Sequence, residues 1–241
     1  MELERENVIV SAQEWTAERA RTFAVLMRKV YVWMTLALAV TGLTAAYVGT
    51  NPALVSMLFQ GGSAIWLLFV AELALVWILS ANIHRMSFPV AGVMFAAYSI
   101  LNGVTLSFIF LAYTMTSIAM AFFVTAGTFA AMSVVGWVIK RDLSAMGRVL
   151  IMALLGLIIA TVVNIFVASS ALDWAITYIG VLIFVGLTAY DTQKIKLMMR
   201  DYGDGIHDGT MKLAMMASLT LYLDFINLFL YILRIFGNNK S

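Results

Sequence analysis

SLTLYLDFINLFLYILRIFG, residues 218–237, decides the class of this chain. It is apolar around a single acid for close to the 20 or so residues that cross a hydrocarbon core. That acid is Asp224, and the preceding apolar segment carries another, Asp191, in GLTAYDTQKIK (186–196). A carboxylate at membrane depth costs several kcal/mol, so it persists where it faces the bundle interior, finds a partner or binds a cation. Two in consecutive helices point to a site.

Composition agrees with this class. The chain is 63% hydrophobic and 12% charged, with two prolines and no cysteine. Without cysteine there is no disulfide framework, thiolate metal site or thiol chemistry. The net charge of +2 gives no nucleic-acid partner, because the basic residues lie between apolar segments rather than along one face. Residues 1–29 are charged and mixed in sign, unlike a cleavable signal peptide. The expectation is a polytopic membrane protein, retained whole, with no internal repeat.

Working outward from Asp224, seven apolar segments can be placed, at about 30–49, 64–83, 88–113, 117–139, 147–168, 174–192 and 211–236. The predicted fold is therefore all-α, with a cytoplasmic segment over 1–29 and a seven-helix transmembrane domain over 30–241. Ser87 before Phe88-Pro89 fits an N-cap with proline in the first turn. Asp173 is placed to cap the sixth helix. Residues 11–31 open on a capping box, Ser11 to Glu14, and make a candidate interfacial helix.

Thirteen of the fifteen basic residues fall on the same side of this arrangement. They lie in 1–29, at Arg85, at Lys140, Arg141 and Arg148, and at Lys194, Lys196, Arg200 and Lys212. The positive-inside rule makes that side, and the N-terminus, cytoplasmic. Arg234 and Lys240 fall on the other side if the last segment spans, which places residues 237–241 away from the N-terminus. Depth then sorts the buried charges. Glu72 lies level with Arg234 as a structural ion pair, while Asp191, Asp224 and Arg85 form an inner cluster, Asp191 near the inner end of its helix.

The motif around Asp224, together with TAYDTQKI (188–195), resembles the Bax inhibitor family, particularly its bacterial calcium-leak members. AELALVWI (71–78) and NGVTLSFIF (102–110) resemble that family's second and third helices, and the likeness covers all seven segments. The connection 197–212 is longer than in those members. The resemblance implies six helices around a central C-terminal one, in a bacterial inner or plasma membrane. It implies a pH-sensitive calcium leak in which Asp191 and Asp224 share a proton and bind the ion, while an arginine matching Arg85 pairs with Asp191 in the closed form. Close carboxylates titrate as a unit, and calcium prefers oxygen ligands. Calcium is then the cargo, with no cofactor, and the lipid bilayer and other membrane proteins are the remaining partners.

Other readings stay open at this point. Asp191 would also suit a water-facing helix end beside Lys194, Asp224 a structural hydrogen bond, and Arg85 a topology signal alone. His84 and His207 read as solvated residues of connections, and Asp201, Asp204 and Asp208 as a hydrophilic turn. An interaction protein regulating cell death or a membrane protease is the alternative function. An intramembrane aspartyl protease comes third: Tyr190-Asp191 fits half of its motif, but Leu221-Tyr222-Leu223 stands where glycine-x-glycine would be. No enzyme activity is expected.

Overall fold

The computed structural model describes the backbone of residues 2–59, 63–83, 85–202 and 205–237, and their side chains except those of 2–16, 59, 63–65 and 202. Nine helical segments follow one another over these residues: α1 (Glu2–Gly49), α2 (Pro52–Phe59), α3 (Ser63–Asn82), α4 (Phe88–Leu106), α5 (Ile109–Ala112), α6 (Met115–Val138), α7 (Ser144–Val167), α8 (Ser170–Tyr202) and α9 (Asp208–Phe236). Among the described residues six stretches are long and apolar enough to cross a membrane, with α4 and α5 forming one of them. The apolar part of α3, Trp66–Asn82, is shorter. The chain is a multi-pass integral membrane protein.

Four expectations about the elements need correction. The lead-in does not begin a helix at Ser11, because α1 is already helical from Glu2 and runs unbroken into the first span. The connection after the first span contains α2, opened by the Asn51 side chain, whose Oδ1 accepts the Ala53 amide at 3.1 Å. The third span breaks at Ser107-Phe108, where the Ser107 hydroxyl donates back to the Val104 carbonyl. The sixth span continues to Tyr202 instead of ending near 192. At 1.5 Å per residue, α8 is about 50 Å long and overshoots the roughly 30 Å hydrocarbon core.

Ser87 holds the N-cap position of α4 but makes no side-chain cap. Asp208 caps that helix from a distance, accepting the Phe88 amide at 3.2 Å, while Lys212 donates to the Met86 carbonyl at 3.0 Å. These two bonds tie the start of α4 to the first turn of α9. Nearby, Phe23 of α1 meets the Trp137 ring, and Lys196 of α8 donates to the Trp137 carbonyl at 2.6 Å. One end of the bundle thus collects the basic connections. At the other end Asp173, in the first turn of α8 but not its cap, meets Arg234 in the last turn of α9.

α9 is the most deeply buried span and packs on α1, α4, α6 and α8. Its interior positions include Ser218, Leu221, Tyr222, Asp224, Leu228 and Leu233. α3 is held mainly by α4, and α7 mainly by α8.

Candidate functional site

Asp224 lies mid-helix on α9, 6% exposed, with its Oδ2 buried and without a hydrogen-bond partner in the protein. Across the α8–α9 contact its carboxyl comes within hydrogen-bonding reach of Asp191. The two acids of the last two spans are therefore neighbours. Asp191 is only half-buried, and Lys194, close by on the same helix, is the basic group that acts on it. α8 runs on for about 16 Å past Asp191, which lies about 32 Å from the start of the helix, so the extension lies beyond the expected inner end of the span and Asp191 keeps its expected level.

Local packing sets this geometry. Gly136 of α6 lies so close to the Ala189 carbonyl of α8 that a Cβ would collide with it. Beside that crossing, the Thr192 and Ser133 hydroxyls meet at 3.5 Å. Thr188 turns its own hydroxyl inward to the Phe184 carbonyl at 2.7 Å, the usual way to satisfy a buried threonine on a membrane helix. On the α6 side of Asp224, the Phe225 ring packs edge-on against Phe122 and Phe129. Asp224 is thus closed in beside apolar rings, while Asp191 stays half-buried next to a close helix crossing.

Two of the expected partnerships do not form. Arg85 is exposed in the turn between α3 and α4, and among the described residues it makes no ion pair with either aspartate. Arg234 pairs with Asp173, not with Glu72. The cause is azimuth: Arg234 points from α9 toward the start of α8, whereas Glu72 on α3 faces α4. Glu72 is 8% exposed, with the buried Thr105 hydroxyl beside it.

Several structural anchors carry no sequence signal of their own. Tyr222 is fully buried; its hydroxyl lies 2.7 Å from Thr41 Oγ1 on α1 and donates to Asn102 Oδ1 on α4 at 3.1 Å. Gln193 fastens the α6–α7 turn, donating to the Ile139 and Arg141 carbonyls and accepting the Leu143 amide. His207 caps α9 through its side chain rather than merely facing water, and Thr210 bonds back to the His207 amide. Asp208 pairs with Lys212 at 3.1 Å, and Asp201 with Arg200. His84, Asp204 and Ser241 lie outside the described residues.

Among the described residues no three His, Cys, Asp or Glu side chains converge. A cation at the dyad would meet two carboxylates, short of the roughly six to eight oxygens that calcium takes. Carbonyls, hydroxyls or water would have to complete its shell.

A family model described as "Inhibitor of apoptosis-promoting Bax1" matches residues 24–241. Inner membrane protein YbhL of Escherichia coli is 50% identical over 214 residues, covering 89% of this chain and 92% of that protein. An uncharacterized protein of Deinococcus radiodurans is 44% identical over 233 residues, 97% of each chain. Uncharacterized protein RP147 of Rickettsia prowazekii is 44% identical over 215 residues, 89% of this chain and 90% of that one.

Proposed function

Since the chain belongs to the Bax inhibitor family, we propose that it is a pH-sensitive cation leak, with calcium as cargo, controlled by Asp191 and Asp224. The observation that carries this reading is Asp224, an acid buried mid-membrane with one oxygen unpartnered and a second carboxyl in reach. A bundle held together only by packing gains nothing from two such groups, since each costs several kcal/mol to bury. A dyad that alternates between a shared proton and a cation has use for both. Seven spans, α3 among them and α9 at the centre, complete the architecture in this reading. The basic end and the N-terminus face the cytoplasm by the positive-inside rule, in a bacterial inner or plasma membrane.

The sign of the pH response follows from charge. The pair cannot hold its proton and a divalent cation together. Calcium flux therefore falls as the pH drops through the titration of the pair, and rises as the pair becomes fully ionised. Lys194 is the countercharge in the present conformation. Arg85 takes that role only in a second conformation, in which the α3–α4 turn approaches α8. In that scheme Arg85→Ala favours the open form.

The test is calcium entry into proteoliposomes across a pH series. Asp191→Asn and Asp224→Asn keep size and hydrogen bonding but remove the coupled titration. Each should reduce flux and flatten its pH profile, and the double variant should be no worse than the stronger single one. Folded variants that leak with an unchanged profile would make the carboxylates structural, leaving an interaction protein as the better reading.

A further inference from the structure

α1 and α6 both pack on α9, yet they leave a groove between them whose rims, Leu43 and Val134, are exposed. Two cavities run together along it, of about 870 and 280 Å³, sharing Leu38, Gly42, Phe122 and Phe225 as walls. From Tyr31 to Ala46 the groove follows α1 for about 22 Å, longer than the roughly 15 Å of one leaflet. It lies behind the aromatic wall that Phe225, Phe122 and Phe129 form on the α6 side of Asp224. At one end Phe23 and Trp137 bring α1 and α6 together, ring centroids 5.6 Å apart.

The lining suits an apolar occupant. Its few polar side chains are already satisfied: Thr35 donates to the Tyr31 carbonyl at 2.8 Å, Thr41 to the Ser99 carbonyl at 2.9 Å, and the Ser133 hydroxyl meets Thr192. Gly42 keeps the middle of the groove open, since a Cβ there would meet nothing within 4 Å. The larger cavity falls within the roughly 300–1,000 Å³ of small-molecule sites.

The chemistry changes at the basic end. Arg21, Arg28, Thr35 and Gly42 recur every seven residues, close to two turns, and so lie in one row along α1. Both arginines are exposed, and the ion pairs among the described residues use other cations, Arg200, Lys212 and Arg234. Lys196 adds positive charge beside Trp137, its Nζ 5.6 Å from the ring centroid. A row that passes from arginine to glycine matches a lipid that passes from phosphate to acyl chain. An apolar helix from a second copy would leave the arginines unanswered.

We propose that this groove is a binding site for one anionic phospholipid, with an acyl chain between α1 and α6 and its phosphate at Arg28 and Arg21, in the leaflet at the basic end of the bundle. Basic side chains just beyond an apolar stretch reach the headgroup level and attract anionic lipid. The guanidinium fork matches phosphate oxygens. The site uses neither aspartate, so it stands apart from the leak reading.

Native mass spectrometry of the purified full-length protein in detergent, titrated with phosphatidylglycerol or phosphatidylcholine of the same acyl chains, tests this. One phosphatidylglycerol per chain should bind, about tenfold more tightly than phosphatidylcholine. Arg21→Gln with Arg28→Gln should erase that preference. Gly42→Phe fills the groove and should abolish the bound lipid. Gly156→Phe on α7, where a Cβ likewise meets nothing within 4 Å, should leave it in place. Equal affinity for the two lipids in the unaltered protein would overturn the proposal, as would retention of the lipid in Gly42→Phe or its loss in Gly156→Phe. A chain that is dimeric without lipid, and monomeric in Gly42→Phe, would give the groove to a second copy instead. If Gly42→Phe does not fold, the arginine pair carries the test, and an unchanged preference there sinks the site.

Discussion

α7 and α9 are both uninterrupted apolar helices, of 24 and 29 residues, yet they live in different surroundings. α9 buries 67% of its most apolar stretch and α7 only 6%. The helix with the higher mean hydropathy is the exposed one. α7 shows Ile159, Ile165 and Phe166 to the outside, while α9 turns Ser218, Tyr222 and Asp224 inward. Lipid tails are as apolar as leucine, so no hydrophobic force sends the greasiest helix to the centre. The interior is marked instead by small, polar and shape-matched residues. In this chain polarity within an apolar run points to the core.

The sharpest way to break that comparison is to remove equal side chains from the two helices. Leu228 of α9 is fully buried, and Ile159 of α7 is 64% exposed. Leu228→Ala should cost about 2–5 kcal/mol, the cost of a buried cavity. Ile159→Ala should stay within about 0.5 kcal/mol, as surface changes do. Equilibrium unfolding of the purified variants in mixed micelles measures both. Equal losses would mean that α7 is covered by another chain in the native membrane, and the contrast with α9 would disappear.

How far the sequence reaches is visible in particular residues. The apolar runs place every long span, because a helix of about 20 uncharged, apolar residues matches the thickness of the hydrocarbon core. Their ends are harder to read. Lys194, Lys196 and Arg200 look like the start of a connection, but lysine and arginine are good helix formers, and α8 carries them onward to Tyr202. That Asp191 and Asp224 face each other across adjacent helices is legible because burying each acid is so expensive. The pairing of Glu72 with Arg234 fails for a definable reason: position along a helix gives depth, but not the direction in which a side chain leaves it. Tyr222 and Gln193 are invisible for a simpler one, since Tyr and Gln in an apolar run signal nothing until their partners on other helices are known.

Gln193 offers a smaller and more local test of polarity as a sign of the interior. It makes three hydrogen bonds to backbone groups of the α6–α7 turn, from a side chain that is 6% exposed. Gln193→Leu keeps the bulk and raises hydropathy, so a rule based on greasiness would expect no loss. The orphaned Leu143 amide and the two carbonyls should instead cost about 1–3 kcal/mol. Gln193→Glu keeps the acceptor for Leu143 but loses both donated bonds, and should also be destabilising. A neutral Gln193→Leu protein in the same unfolding assay would show that water reaches this turn and takes over its bonds.

The smallest expected effect concerns the far end of the same two buried helices, where α8 begins and α9 ends. Arg234 and Asp173 are each about 40% exposed, so solvent screens their attraction, and the pair is worth at most about 1 kcal/mol. Asn164 also donates to the Asp173 carboxylate, at 3.5 Å, so Arg234→Ala leaves that group with one partner. The single reversal Arg234→Asp sets like charges against each other and should destabilise modestly. Asp173→Arg with Arg234→Asp should recover most of that loss, whereas Glu72→Arg with Arg234→Glu should recover none. High salt should shrink the first rescue, because exposed pairs are screened. Rescue by the Glu72 exchange instead would restore the pairing that depth alone suggests, and would mean that α9 is rotated about its axis relative to the arrangement described.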